Sequence, residues 1–378
     1  MQVQPSSMNE ASLHNLQQEA IQLLKQLIAT PSFSKEEDRT ALIIRDFLVL
    51  RKVEVHRLMN NIWVTNQDFQ YGKPTILLNS HHDTVKPNKG YTLDPFSPLE
   101  KDGKLFGLGS NDAGGALVSL IVTFLHFYKQ EDLKYNLVLT TTAEEEISGN
   151  NGIEALLKSP QFLHSVREPD SPTFSNWCGI VGEPTEMQMA VAERGLMVLD
   201  CIAPGKAGHA ARNEGENAIY NAMNDISWFN TFQFDKRSDL LGPVKMTVTS
   251  IQTENKAHNV VPAECTYIVD ARINELYSFD EVLQIIKSNI KSEVRPRSTR
   301  LKSSSIAIDH SLIKAGSSLG RHYYGSPTTS DKALMPFPTL KIGPGDSARS
   351  HTADEYIYVN EVREGIDLYI KILEQLLF

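Results

Sequence analysis

The sequence predicts an α/β protein carrying a smaller, ferredoxin-like α+β domain inserted into its chain. Three observations carry the prediction. Short apolar runs alternate with helical stripes through the first half of the chain. After about residue 187 that alternation gives way to two helices set among about four strands. A strongly striped helix then closes the chain. At 378 residues, 41% of them apolar and 22% charged, there is length for two domains at roughly 100–200 residues each. The apolar content suffices for both cores.

Taken in order, Leu13, Leu16, Ala20, Leu23, Leu24, Leu27 and Ile28 make a helical stripe over 13–30, with Ser12 as its cap and Pro31 as its stop. A second helix is expected over 35–51, opened by Glu36, Glu37 and Asp38, whose charges suit the helix dipole. Strands follow at 62–65 (IWVT) and 75–79 (TILLN), a helix near 113–129, and strands at 136–142 (NLVLTTT) and 179–183 (GIVGE). Such apolar strands between helices predict a sheet covered on both faces. From MAVAERGLMVLDCIA onward the pattern reads strand, helix (GENAIYNAMNDISWF), strand (VKMTVTSIQ), strand (CTYIVDARI), helix (SFDEVLQIIKSNI). The expected division is a main domain of residues 1–186 and 302–378, with 187–301 inserted. The last helix, over 360–378, shows Val362, Ile366, Tyr369, Ile370, Leu373 and Leu376 on one stripe.

Composition excludes several classes. Thirty-seven basic residues against 46 acidic ones leave a net charge of -9, the wrong sign for a nucleic-acid binder. The one basic stretch, Lys287 to Lys302, lacks aromatic partners and reads as a solvated face. The longest apolar run, Ala116 to Tyr128, is interrupted by Ser119, Thr123 and His126. It falls short of the roughly 20 residues a membrane span needs. The opening MQVQPSSMNE has no basic n-region or apolar h-region, so no signal peptide is expected. Cys178, Cys201 and Cys265 form no CxxC pair and fit core packing in a reducing compartment, so a cytoplasmic location is expected.

The chemistry concentrates at strand ends. Ser80-His81-His82-Asp83 directly follows an apolar strand, and alternation points His81 and Asp83 one way and His82 the other. A carboxylate that orients a metal-binding histidine is a standard device. Alone, such a pair more often marks a hydrogen-bonded core histidine. Asp112 precedes a helix, where an acid can simply be an N-cap. Glu144, Glu145 and Glu146 follow the 136–142 strand, Glu183 follows another, and His351 lies in a glycine-rich loop before the last helix. Acids gathered at one sheet edge repel one another, and cations remove that cost. Two histidines with three carboxylates and no cysteine fit a hydrolytic zinc site of one or two ions. Two ions about 3.5–4 Å apart can share one carboxylate and activate a water.

SHHDTV, GLGSNDAGG, TAEEE, VGEPT and SHTADEY together resemble, in order and spacing, the motifs of the di-zinc deacylases and aminopeptidases. That family includes acetylornithine deacetylase, succinyl-diaminopimelate desuccinylase, aminoacylase and the glutamate carboxypeptidases. The resemblance implies a mixed-sheet di-zinc hydrolase domain with the inserted domain as lid and dimerisation module. It makes Asp112 the carboxylate shared by two zinc ions, with His81 and Glu183 completing the first and Glu146 and His351 the second. Cobalt is an accepted substitute. Glu145 becomes the general base, Asp83 orients the site, and His209, in GKAGHAAR, polarises the scissile carbonyl, often from a partner subunit of a homodimer. Arg194, Asn259, Arg272 and Thr329 match positions that contact substrate.

The motif wording looks most like acetylornithine deacetylase. That implies removal of an acetyl or succinyl group from N-acyl-ornithine in arginine biosynthesis. Succinyl-diaminopimelate desuccinylase and a dipeptidase or aminoacylase are the alternatives. A catalytically dead scaffold would have lost a ligand or the base, and none is lost.

Overall fold

The structure, a computed structural model, describes residues 10–167, 174–212 and 214–378. Most of the opening segment read for a signal peptide lies outside the described residues. The chain divides into two compact units, one of residues 192–305 and 325–329, the other of the rest.

The larger unit is built on a mixed sheet. Its strands run in the order His56–Leu58, Asn61–Thr65, Asn136–Thr142, Thr75–His81, Trp177–Val181, Thr339–Lys341, with Met189–Glu193 next. The 75–81 strand is parallel to both its neighbours, and 339–341 is parallel to 177–181. The outer pairs are antiparallel.

Side-chain alternation sorts each central strand between two cores. Ile76, Leu78, Leu137 and Leu139 pack into a core with the helices Glu10–Ile28, Gly115–Phe127 and Val359–Leu377. Leu77 and Val138 point the other way, to Ile153, Leu156, Phe162 and Trp177. Burial on both faces explains why these strands read as unbroken apolar runs. The Gly115–Phe127 helix is buried all round, which accounts for its hydrophobicity. Among the described residues no helix is long and apolar enough to cross a membrane.

The smaller unit has a four-stranded antiparallel sheet. Its strands run in the order Lys245–Gln252, Glu264–Ile273, Gly195–Pro204, Glu293–Pro296. The helices Ala218–Thr231 and Phe279–Asn289 fall between strands, giving the βαββαβ sequence of a ferredoxin-like unit. Alternate residues of 195–204, such as Met197, Leu199 and Cys201, are buried against the helices. A capping box between Ser278 and Glu281 starts the second helix.

Several boundaries differ from expectation, among them the return to the larger unit at Ile306 rather than 302. The first helix begins at Glu10, so Ser12 lies within its first turn rather than capping it. The first unit reaches Val191 instead of residue 186, because Ala190 pairs with Lys341 and carries that strand into the large sheet. Residues 325–329, expected in the main domain, belong to the smaller unit, where Thr329 donates to the Arg194 carbonyl at 2.8 Å.

Candidate metal centre

The carboxyl ends of three adjacent parallel strands supply most of the centre, the usual location for sites in such sheets. His81 ends its strand opposite Thr142, and the segment after Thr142 carries Glu145 and Glu146. Glu183 stands two residues past the Trp177–Val181 strand. Asp112 lies in the turn Ser110–Gly114 that leads into the 115–127 helix, and His351 lies in the loop before Tyr356–Tyr358.

Two trios result. His81, Asp112 and Glu183 place one donor atom each within 4.8 Å of one another, and so do Asp112, Glu146 and His351. Asp112 belongs to both: its Oδ1 is 3.4 Å from His81 Nε2 and its Oδ2 is 3.5 Å from His351 Nε2. Glu183 Oε1 is 3.7 Å from His81 Nε2, and His351 Nε2 is 3.0 Å from Glu146 Oε2.

Asp83 serves both sides of this arrangement. Its Oδ1 is 3.4 Å from His81 Nδ1, and its backbone oxygen is 3.1 Å from the same nitrogen. The carboxylate also accepts from the backbone N–H groups of Glu145 and Glu146 at 3.1 and 3.2 Å, and from Ser34 Oγ at 2.6 Å. One buried acid thus orients the histidine ring and fixes the backbone that presents the glutamate pair. His82 turns away to Thr40 Oγ1 and the Asn60 carbonyl. Burial lowers it to about 4, so it is a neutral structural histidine.

Burial governs the charges. It pushes Glu183 up to about 8 against the pull of His81, with Asp112 adding to the rise. It lifts Glu145 well above the usual carboxylate range, again against His81, while Glu183, Asp331 and Glu146 repel. The hydrogen bond to Glu146 raises His351 to about 9. For His81, burial lowers the value, but Asp112 and Asp83 more than offset it.

Such a group of acids in a dry pocket is costly without cations. His81 Nε2 and Glu183 Oε1 are buried with no hydrogen-bond partner among the described residues, although they face each other. Buried polar atoms are rarely left so. A cation supplies what both lack, so the donor set fits the metal.

The other expected residues lie in the smaller unit, in two groups. His209 pairs in register with Val260, and Asn259 accepts from the Ala210 N–H at 2.9 Å. His209 is exposed, and its Nδ1 accepts from the Ala211 N–H at 3.1 Å. In the second group, Arg272 donates from Nε and Nη2 to Asp270 at 2.7 and 3.0 Å, and from Nη1 to Thr329 Oγ1 at 3.4 Å. Arg194 donates to the Leu241 carbonyl. Burial lowers the Arg194 guanidinium, and the charge of Arg272 lowers it further, so the two cations stand close enough to repel.

Sequence reasoning missed three buried residues around the centre. Asp331 accepts from Asn79 Nδ2 and Thr142 Oγ1 at 2.9 and 2.8 Å, joining two strand ends beneath the site. Glu355 and Asn111 support the Asp112 turn. Both belong to motif segments quoted above, SHTADEY and GLGSNDAGG, which was the available signal.

Comparison with known proteins agrees with this geometry. The family model for peptidase family M20/M25/M40 matches residues 77–375. Succinyl-diaminopimelate desuccinylase of Rickettsia bellii is 24% identical over 94% of this chain and 96% of its own. That of Zymomonas mobilis is 28% identical over 71% of this chain and 72% of its own. The match to succinyl-diaminopimelate desuccinylase 2 of a Ruegeria species spans only 55% of that protein.

Among solved structures, aminopeptidase PepT from Bacillus cereus superimposes with a TM-score of 0.72 at 17% identity, covering 95% of this chain and 98% of its own. A dinuclear metal-binding M20 peptidase from Bacillus subtilis gives 0.65 at 12% identity, covering 95% and 98%. The relatives by sequence bear the name of the desuccinylase alternative, and the acetylornithine deacetylase likeness that the motif wording implied is not specifically supported. With the family model spanning most of the chain and the two trios in place, the protein belongs to peptidase family M20/M25/M40, as a metal-dependent hydrolase of amide bonds.

Proposed function

We propose that the protein is a two-zinc amide hydrolase that removes an N-acyl group, succinyl in preference to acetyl, from a small amino acid. The observation that carries this reading is the pair of ligand trios sharing Asp112, with Glu145 beside them and its carboxylate in no hydrogen bond among the described residues. His81, Asp112 and Glu183 would hold one ion, and Asp112, Glu146 and His351 the other. Ions held there would supply polarisation of a carbonyl oxygen and a water made nucleophilic near neutral pH. Zinc fits the histidine and carboxylate donors, and cobalt suits the same set.

Glu145 acts as general base, taking a proton from the attacking water and passing it to the leaving amine. Asp83 keeps His81 turned toward Asp112 and holds the backbone of Glu145 in place. His209 stabilises the developing oxyanion by donating from Nε2, since its Nδ1 already accepts a backbone hydrogen bond.

The substrate reading moves away from N-acetyl-ornithine, and so from arginine biosynthesis, toward succinyl-diaminopimelate. Two observations support that move: the desuccinylase relatives, and the crowded guanidinium groups of Arg194 and Arg272 beside Thr329. Arg272 already pairs with Asp270, which leaves Arg194, bound only to a carbonyl among the described residues, as the cation suited to an acyl chain that ends in a carboxylate. The test is a hydrolysis panel on zinc-loaded protein with succinyl-diaminopimelate, succinyl-ornithine, acetyl-ornithine and acetyl-citrulline. Higher kcat/KM on the succinyl substrates, lost in Arg194→Ala, is the expected result. A preference for acetyl-ornithine would restore the arginine-biosynthesis reading.

A homodimer through the smaller unit goes with this proposal. The Lys245–Gln252 strand is an edge of its sheet, with Ile251 exposed on it and Tyr220 and Met223 exposed on the adjoining helix. If His209 serves the partner's centre, mixing inactive His209→Ala with inactive Glu145→Gln chains restores activity once subunit exchange is established. Exchange without recovered activity would confine His209 to its own chain or leave it without a role.

A further inference from the structure

We infer that Glu355 and Asn111 are positioning residues that set the second ion position, the one between Asp112, Glu146 and His351, by stapling together the two loops that carry Asp112 and His351. The inference rests on the two-ion reading above, and neither residue is a ligand in it.

Glu355 is 2% exposed and spends its whole carboxylate on the Asp112 turn. Its Oε1 accepts from the backbone N–H groups of Asn111 and Asp112 at 2.8 and 2.9 Å, and its Oε2 accepts from that of Gly109 at 3.1 Å. Asn111, fully buried, returns the connection. Its Nδ2 donates to the Asp346 carbonyl at 3.0 Å and to Ser350 Oγ at 3.3 Å, while its Oδ1 accepts from the Asp346 N–H at 3.1 Å. Ser350 immediately precedes His351. The two loops therefore hold each other by side-chain bonds, mostly to main chain, at and just before Asp112 and on either side of His351. Little space is left for adjustment: a Cβ on Gly345 would come within 2.5 Å of Asn111 Oδ1.

The staple matters unequally for the two trios. His81 is locked by the ladder of a central strand, and Glu183 stands two residues past another. His351 has no such support, since its side chain is 56% exposed on a loop. Its distance to Asp112 depends on how the loops are joined. Residues that orient ligands without touching the metal typically contribute 10–100-fold to its affinity.

The test is calorimetric titration of zinc into chelator-stripped full-length protein, followed by visible absorption of the cobalt form, for wild type, Glu355→Gln, Asn111→Ala and the milder Ser350→Ala. Only variants with wild-type circular dichroism are compared, and Ser350→Ala removes one hydroxyl, which accepts from Asn111 and donates to the Asp112 carboxylate, should the others fail to fold. Binding of the second ion should weaken by at least ~10-fold in Glu355→Gln and Asn111→Ala, and less in Ser350→Ala. The first ion, which shares Asp112 but keeps His81 and Glu183 on their strand ends, should weaken clearly less than the second, and the cobalt spectrum should lose one component. Equal weakening of both ions, or none, overturns the staple while leaving the two-ion centre intact. A wild-type protein that never takes a second ion overturns the underlying reading itself.

Discussion

Glu145→Gln is expected to lower turnover by at least ~10²-fold, the usual contribution of a general base, with metal content unchanged. The two adjacent glutamates look alike in sequence, yet their surroundings differ. Glu146 reaches His351 at 3.0 Å and belongs to the second trio, whereas Glu145 belongs to neither. Burial and neighbouring acids lift Glu145 well above the ordinary carboxylate range, which makes it the stronger proton acceptor. Gln keeps the shape and removes the basic oxygen. Kinetics alongside metal analysis of both Glu→Gln variants check the assignment. If Glu145→Gln loses metal and Glu146→Gln keeps it, the two roles are exchanged.

Asp112→Ala is expected to reduce the bound ions from two to at most one and to abolish most activity with them. Each carboxylate oxygen faces a different histidine, at 3.4 and 3.5 Å, so both positions lose a ligand in one substitution. The remaining His81 and Glu183 are buried on strand ends and still form a partial site. Mass-spectrometric metal analysis after gel filtration is the measurement. Two tightly held ions in the variant would remove Asp112 from its shared role.

Part of the candidate centre was legible because its residues stand where apolar strands stop: His81 after TILLN, Glu145 and Glu146 after NLVLTTT, Glu183 after GIV. Position at a strand end is a sequence-visible property, and convergence at one sheet edge follows from it. Glu355 and Asp331 were not legible in the same way. Their partners are backbone N–H groups and strand-end side chains distant in sequence, and any loop acid satisfies such a description until the fold is known. That residues 325–329 group with the smaller unit is not legible in sequence for a related reason. A short segment with no apolar period carries no mark of which core it joins. Short strands with exposed faces, such as Leu99–Lys101, escaped notice because pairing alone defines them.

Anomalous diffraction at the zinc edge on crystals of the metal-loaded protein decides whether two ions share Asp112. Two peaks are predicted in each chain, one within bonding distance of His81, Asp112 and Glu183 and the other within bonding distance of Asp112, Glu146 and His351. No metal should lie in bonding contact with Glu145. A peak bonded to Glu145, a single peak that does not touch Asp112, or no peak among these residues would contradict this arrangement.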